Sequence, residues 1–455
     1  MFENKKIFIL GMARSGYEAA KYLSRFNNTI IVNDGGAREK QDVEKISELE
    51  KLGVTLIFGS HPDDLLDDSF DYIIKNPGIN NNHKYVTLAK QLNIPVINEV
   101  EMAYLLLPKD VTLIGITGSN GKTTTTTLTY EMIKSSGKRV HLAGNIGYPL
   151  CSFLDKVQSG DIIVMEVSCQ QLANTDKFKP HIGLMTNLAE AHIDFFGSYE
   201  AYKEVKLKLF KNQTEDDIAI LNIENKDVME GTKNILSCTK YFSSKRVING
   251  AYFNDNKLYY YDEMIMDRDE FFLKGNHNVE NALGALMIAK EVGVSTDVIV
   301  KVLKTFKGVT HRLEFIDEVN GVKYYNDTEA TNTKCTQIAL NSFDDDIILI
   351  LGGLERGQDF HDLDNYMKNV KEIIGIGQCR DRVKEYGADI GIKTTIYERL
   401  HEAFDYISLQ AKKGDVVLLS PASASWDQYK QCEDRGDEFR DLVSKLKHKG
   451  EGNED

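Results

Sequence analysis

The feature that most limits what this chain can become is an apolar strand running into a glycine turn and then into a helix that opens on lysine and threonine. Residues 111–128 read VTLIGITGSNGKTTTTTL. Gly118 and Gly121 free the backbone to aim N–H groups at an anion, with Ser119 and Asn120 between them. The helix N-terminus adds positive dipole, Lys122 adds a point charge, and Thr123 and Thr124 follow, the Thr123 hydroxyl being suited to Mg²⁺. A nucleoside triphosphate with its metal is the ligand this chemistry fits. The common spacing G-x-x-x-x-G-K-[ST] would place glycine at 116, where the chain has Ile116, so the loop is the shorter G-x-x-G-K-T form. The plainer alternative is a glycine turn before a threonine-rich helix, but the apolar strand in front and Lys-Thr behind favour the phosphate cradle.

A net charge of -14 argues against non-specific nucleic-acid binding, which needs a basic face. The six cysteines lie apart, with no C-x-x-C pair and no zinc-like histidine spacing, so reduced thiols are expected. No apolar run approaches the ~20 residues of a membrane span, and the first residues pass directly into a strand and turn, so no membrane contact is expected and a cytoplasmic protein is.

Short apolar runs such as KKIFIL, NTIIVND, DYIIKNPG, DIIVMEVS, HIGLMTN, DIILILGG and DVVLLSP alternate with amphipathic stretches of helical length. That pattern predicts an α/β chain whose parallel sheets are buried on both faces. Ligands then gather past the carboxyl ends of the strands, where GMARSG, GSNGKT, GNIG, EVSCQQ, GGLERGQD and SPASASWD all fall. Boundaries are expected near 107–108 and near 308. Residues 240–272 read as antiparallel hairpins inserted on the middle domain, and the tail after about Lys445 as polar and disordered.

The first turn, Gly11-Met12-Ala13-Arg14-Ser15-Gly16, imitates a dinucleotide fingerprint with alanine at the middle glycine. Its helix start with Arg14 and Ser15 suits a diphosphate, and Asp34 suits a ribose or base; a turn that binds nothing is the alternative. In the middle of the chain Glu166 ends the run DIIVM, where a carboxylate is costly to bury without a cation. His192 and Asp194 follow in AHIDFFGS, making Glu166 and His192 candidate Mg²⁺ ligands. Lys206 shares its helix with Lys203, Lys208 and Lys211 and reads as one of a solvated set. Asn278 is a candidate N-cap, Arg312 a phosphate clamp, and Asp327 a ribose or metal contact, while Thr328 and Thr331 are candidate caps for the helix that follows.

In this order, GITGSNGKTT, GNIG, EVSCQQL, NLAEAHIDFFGS, GNHNVENALGAL, HRLEF, NDTEATN, GGLERGQDF and SPASASWDQY with its trailing RGDEF resemble the ATP-dependent Mur ligases over nearly the whole chain. The resemblance implies three domains: a Rossmann-like unit for a UDP-sugar at 1–108, a central P-loop ATPase with a parallel sheet at 109–308, and a Rossmann-like unit for an amino acid at 309–446, with a tail at 447–455. It implies the partners ATP, D-glutamate and UDP-N-acetylmuramoyl-L-alanine, joined through an acyl phosphate by a monomer in peptidoglycan precursor synthesis. Two Mg²⁺ ions are implied, and CO₂ held as a carbamate on Lys206, so that the metal residues are Thr123, Glu166, His192 and Lys206. Lys122 joins the last three as catalytic. By the same similarity the ATP site comprises Gly118, Ser119, Asn120, Gly121, Lys122, Thr123, Thr124, Asn278, Arg312 and Asp327. Ala13, Arg14, Asp34, Asn76, Gly78, Asn145, Ser168 and Gln171 face the sugar nucleotide, and Thr331, Arg356 and Ser425 grip D-glutamate.

Three positions depart from the family pattern: Arg356 stands where lysine also occurs, Glu329 where lysine is frequent, and Cys432 where an aromatic residue backs the amino-acid pocket. Trp426 is a candidate for compensating the last. Alternatives are a family member with another amino acid, a nicotinamide oxidoreductase read from the first turn, and a non-catalytic ATP-binding protein; the oxidoreductase leaves Lys122 and the threonine run unexplained.

Overall fold

The structure, a computed structural model, describes residues 1–451, the side chains of Asp194 and residues 449–451 excepted. The backbone builds three sheets. The first has five strands, Lys6–Leu10, Thr29–Asp34, Thr55–Phe58, Tyr72–Lys75 and Val96–Ile97, lying in the spatial order third, second, first, fourth, fifth. All its pairings are parallel. Ile7 and Ile9 pack into one core and Phe8 and Leu10 into another, so the sheet is covered on both faces, as unbroken apolar runs require. The first strand sits between the second and the fourth. The crevice of this switch point therefore opens at Gly11.

The second sheet has nine strands, with Thr112–Thr117 between Ile162–Glu166 and Ile182–Met185. Its expected hairpin region differs from an appended insertion. Ala251–Asn254 pairs parallel with Cys238–Ser243 and thereby lengthens the sheet, and only Lys257–Tyr260 runs against the others, pairing antiparallel with Ala251–Asn254 on one side and Glu263–Asp267 on the other. The reversal at Asp255-Asn256 has both residues at positive φ, 47° and 59°, the twist a two-residue hairpin needs. The third sheet departs from a purely parallel pattern too. Glu314–Val319 and Val322–Asn326 form an antiparallel hairpin over Asn320-Gly321, and four parallel strands follow, with Val416–Leu419 and Ile347–Gly352 at the centre.

The chain forms two compact units. One comprises Met1–Arg268 and Val279–Val302 and holds the first two sheets; the other takes Asp269–Asn278 and the chain from Leu303, with the third sheet. The region read as tail begins as structure: helix Cys432–Glu451 runs through it because Phe439 and Val443 are buried in the third sheet's core, and Lys447 pairs with Asp317 at 2.8 Å. Residues 452–455 of that tail lie outside the described residues. All six cysteines are free thiols. Among the described residues no helix is long and apolar enough to cross a membrane.

Candidate functional site

In the middle sheet, Ile116 is in register with Glu166 and Thr117 with Met185, so the glycine turn leaves the sheet between the ends of two neighbours. Both glycines are obligatory. Gly118 has φ +150° and a Cβ there would lie 1.9 Å from Thr186 Oγ1; Gly121 has φ +78° and its Cβ would meet Asn281 Oδ1 at 2.2 Å. The turn is braced from outside. Asn120 N donates to Asn187 Oδ1 at 2.9 Å, and the Ser119 hydroxyl bonds Ala189 O at 2.9 Å and Tyr202 OH at 2.8 Å. Lys122 folds back on the turn, its Nζ donating to Ser119 O at 2.9 Å. Thr123 and Thr124 stand half-buried in the first turn of helix Lys122–Ser135.

Glu166 is buried, at 1% exposure, at the end of its strand. Asn145 Nδ2 donates to its Oε1 at 2.7 Å, and its Oε2, also buried, has no hydrogen-bond partner. A carboxylate oxygen left bare in the interior is what a cation ligand looks like without its cation. His192 is exposed and holds a left-handed backbone, φ 54°, ahead of the short helix Ile193–Phe196, its ring 6.0 Å from that of Tyr202. The Asp194 side chain lies outside the described residues.

Lys206 overturns its reading as one of a solvated set. Helix Tyr199–Leu207 buries Tyr202 and Lys206, one turn apart on the same face, each 1% exposed. The Lys206 ammonium donates to Thr117 Oγ1 at 3.2 Å and lies 5.2 Å from the Tyr202 ring centre. Burial, and then the charge of Lys122, push its pKa down to about 7, against the weaker pull of Cys169 and Glu166. A large share of this side chain is therefore a neutral amine at neutral pH. The other lysines of the stretch take different fates: Lys203 reaches Asp227 at 3.4 Å, and Lys208 donates to the carbonyls of Leu172, Ala173 and Thr175. Spacing from an aromatic residue does not separate Lys206, since Lys203 follows Tyr199 by four just as Lys206 follows Tyr202.

Within the same unit an open cleft of about 240 Å³ is lined by Ala13, Arg14 and Ser15 of the first turn, by Asn76, Pro77 and Gly78, and by Gly144, Asn145, Pro149, Ser168 and Gln171. Seven of the eight residues expected around a sugar nucleotide thus converge. Asp34 is not among the lining residues. Its carboxylate accepts from Met12 N and Gly36 N, each at 2.8 Å, and so shapes the turn. Ser168 and Gln171 cap helix Cys169–Ala173 reciprocally. Sequence reasoning missed Glu99, which also lines the cleft: it is 2% exposed, accepts from Cys151 N at 2.7 Å, and burial raises its pKa. Its position directly after a strand and at a helix start was the available signal.

In the second unit, Asn278 is not a cap; it lies inside helix Asn276–Glu291 and its Nδ2 donates to Lys274 O at 2.7 Å. Thr328 and Thr331 do not cap helix Thr333–Leu340 either, since Asn332 accepts from Cys335 N. Asp327 follows the end of strand Val322–Asn326, accepts from Ser420 Oγ at 2.7 Å and Leu313 N at 3.1 Å, and has its pKa raised to about 7 by burial. Arg312 pairs with Glu329 at 3.3 Å, so the acid at this departure meets a guanidinium. The Arg356 guanidinium lies 4.8 Å from the ring centre of Trp426, which is 60% exposed. Burial, with Glu329 and Glu433 nearby, pushes the Cys432 thiol up to about 12. Ser425 is 1% exposed and its Oγ has no partner. These loops share one strut: the buried Arg435 donates to Thr328 Oγ1 at 2.9 Å, Thr328 O at 3.1 Å and Ser423 O at 3.0 Å.

Family profiles match three stretches of the chain: the Mur ligase MurD-like N-terminal domain over residues 5–98, the Mur ligase middle domain over 116–289, and the Mur ligase glutamate ligase domain over 311–423. A UDP-N-acetylmuramoylalanine--D-glutamate ligase of Lactococcus lactis subsp. cremoris (strain MG1363) is 42% identical over 98% of this chain and 99% of its own length. The protein so named in Lactococcus lactis subsp. lactis (strain IL1403) is 43% identical over 98% of each. Among solved structures, the MurF ligase from Thermotoga maritima in complex with ADP has a TM-score of 0.59 at 19% identity, covering 92% of this chain and 95% of that one. The UDP-N-acetylmuramate-alanine ligase MurC of the same organism has a TM-score of 0.58 at 17% identity, covering 97% and 99%. At such identities these two matches speak to the fold.

Proposed function

The chain belongs to the Mur ligase family, and from that premise we propose that it joins D-glutamate to UDP-N-acetylmuramoyl-L-alanine at the expense of ATP, in the assembly of peptidoglycan precursors. One observation carries the reading: Glu166 faces two ways, its Oε1 held by Asn145 of the cleft and its bare Oε2 at a strand end beside the phosphate loop. A carboxylate-bearing ligand in the cleft and a triphosphate on the loop would meet there.

Mur ligases use ATP and Mg²⁺, and the residues present suit both. The glycine turn takes positive-φ backbone angles immediately before a helix start, the setting in which backbone amides receive an anion, and Thr123, Glu166 and His192 offer oxygen and imidazole donors. Bound there, Mg²⁺ would spread the charge of the transferring phosphoryl group. Lys122 and the loop amides hold that group in line with the acid oxygen of the substrate. The acid oxygen bonds to the γ-phosphorus as the bond to ADP breaks; the amine of D-glutamate then bonds to the acyl carbon, phosphate leaves, and the nitrogen gives up its proton. Lys206 enters as a carbamate: its neutral amine adds to CO₂ and loses a proton, becoming an anion that would serve as a metal ligand. Burial among Thr117, Tyr202 and Lys122 supports this, because it disfavours the ammonium form.

For the amino acid we infer a grip by Thr331, Arg356 and Ser425. The unpartnered Ser425 hydroxyl and the Arg356 fork, steadied on Trp426, are fitted to a dicarboxylate. Asn278, Arg312 and Asp327 complete the nucleotide contacts in this reading, with domains at 1–108, 109–308 and 309–446, and the enzyme acts as a cytoplasmic monomer. The test is ATP-dependent coupling of D-glutamate to UDP-N-acetylmuramoyl-L-alanine by the purified chain, followed by ADP release and product mass. Product with D-glutamate and none with L-glutamate is expected; turnover only with another amino acid would overturn the substrate assignment.

A further inference from the structure

A second lysine is buried in the same unit as Lys206, and none of the roles above uses it. Lys75 ends strand Tyr72–Lys75 and is 1% exposed. Its ammonium donates to the carbonyls of Asn76, at 3.3 Å, and Ile79, and among the described residues no carboxylate forms an ion pair with it. A buried cation served only by carbonyls is costly for the fold alone, since carbonyl dipoles replace hydration without cancelling charge. What it serves is the turn that begins at the next residue. Asn76, Pro77 and Gly78 line the cleft, and Asn76 Nδ2 reaches across to Ser15 Oγ at 3.2 Å on the opposite wall. That wall is itself electropositive: Arg14 stands there at the start of helix Arg14–Leu23, whose Ncap Ala13 provides no side-chain acceptor for the first amides.

We propose that Lys75 is a positioning residue for the anionic part of the cleft's ligand, a nucleoside diphosphate, holding the Asn76–Gly78 wall in place while supplying from behind it the positive charge that the ligand neutralises. The proposal rests on the reading of the cleft as a sugar-nucleotide site. Its thermodynamic signature follows from burial, which lowers the Lys75 pKa to about 8, with no charged neighbour contributing. An anion arriving in the cleft favours the ammonium form, so binding at pH 8 draws a proton from solution. The titratable groups nearby are His83, whose ring Lys75 influences and which packs against His61 and Tyr85, and Glu99, which lines the cleft with its pKa raised by burial. Lys75→Arg leaves Glu99 in place and so separates its proton from that of Lys75. His83 is lowered by burial, His61, Lys84 and Lys75, and so is neutral and silent at pH 8. Tyr85 is pushed up to about 12 and is equally silent there.

The experiment is titration calorimetry of the full-length chain with UDP, and with uridine as the uncharged control, at pH 8 in two buffers of different ionisation enthalpy. The wild type should take up about half a proton with UDP and none with uridine. Lys75→Gln, which keeps donors for the two carbonyls but not the charge, should abolish the uptake and weaken UDP about tenfold while leaving uridine unchanged. Lys75→Arg, charged at every working pH, should keep the affinity without the proton. Equal losses for UDP and uridine in Lys75→Gln, or undiminished uptake, would reduce Lys75 to a structural strut and overturn the proposal. A wild type that binds uridine and UDP alike, without proton uptake, also overturns it. Absence of any UDP binding to the wild type would instead remove the reading of the cleft on which it stands.

Discussion

Lys75 and Lys206 are equally buried, at 1% exposure each, and both have their pKa values lowered by desolvation, to about 8 and about 7. Their surroundings differ. Lys75 is met by two backbone carbonyls, which can only accept and so favour the protonated form, whereas Lys206 is met by one hydroxyl, Thr117 Oγ1, and lies near a second ammonium, Lys122. The first environment keeps a cation; the second keeps a nucleophile. Burial alone does not decide which chemistry a lysine performs, and the acceptors facing Nζ do.

The largest effect that sharpens this contrast comes from exchanging each lysine for arginine. Lys206→Arg should lower turnover by about 10³-fold, because a guanidinium cannot take up CO₂, whereas Lys75→Arg should stay within about threefold of wild type. Comparable losses at both positions, measured as ADP release at saturating substrates, would break the comparison. Next, Lys206→Ala should collapse turnover, and short carboxylic acids should restore part of it by offering the missing anion. No comparable rescue is expected for Lys75→Ala, where the missing charge is positive.

The pH dependence of stability gives a smaller, signed effect. Both folded-state values lie below the 10.5 of an ordinary lysine, so between them the unfolded chain binds more protons and stability rises with pH, from about 7 to 10.5 for Lys206 and from about 8 to 10.5 for Lys75. Methionine at either position is free of that cost. Each Met variant should therefore gain most in Tm over the wild type below pH 7 and lose the advantage as pH climbs toward 10.5, with the wider window at position 206. A Tm difference independent of pH would mean that folding lowers the pKa of neither lysine. The smallest change expected is in Tyr202→Phe, which deletes the bond to Ser119 and should cost about 1 kcal/mol in chemical denaturation while raising the KM for ATP more than that for D-glutamate.

Much of the site was legible because its parts are local. A strand, a glycine turn and a helix start occupy consecutive residues, so 112–124 could be read as a phosphate cradle, and the turns at Gly11 and Asn145 were found the same way, as breaks after apolar runs, whereas Asn76 entered through the family resemblance. The second unit was harder. Neither Asn278 nor Thr331 caps a helix, because helix starts shift by a residue or two with tertiary packing, and the pairing of Arg312 with Glu329 joins residues seventeen apart in the chain. The hairpin at 251–267 was recognised, but its parallel attachment to Cys238–Ser243 depends on a long-range pairing that alternation within a strand does not encode.

The amino-acid order by itself determined that strands and helices alternate, that most strands are buried on both faces, and that glycine-containing turns stand at their carboxyl ends, since these follow from patterns a few residues long. Only the tertiary structure decided which lysine of 203, 206, 208 and 211 goes inside, that Lys75 carries its charge beneath a cleft wall, and that Glu166 keeps one oxygen bare. The physical reason is that desolvation and partner choice are properties of whatever packs against a side chain. For Lys206 that is Thr117, eighty-nine residues away.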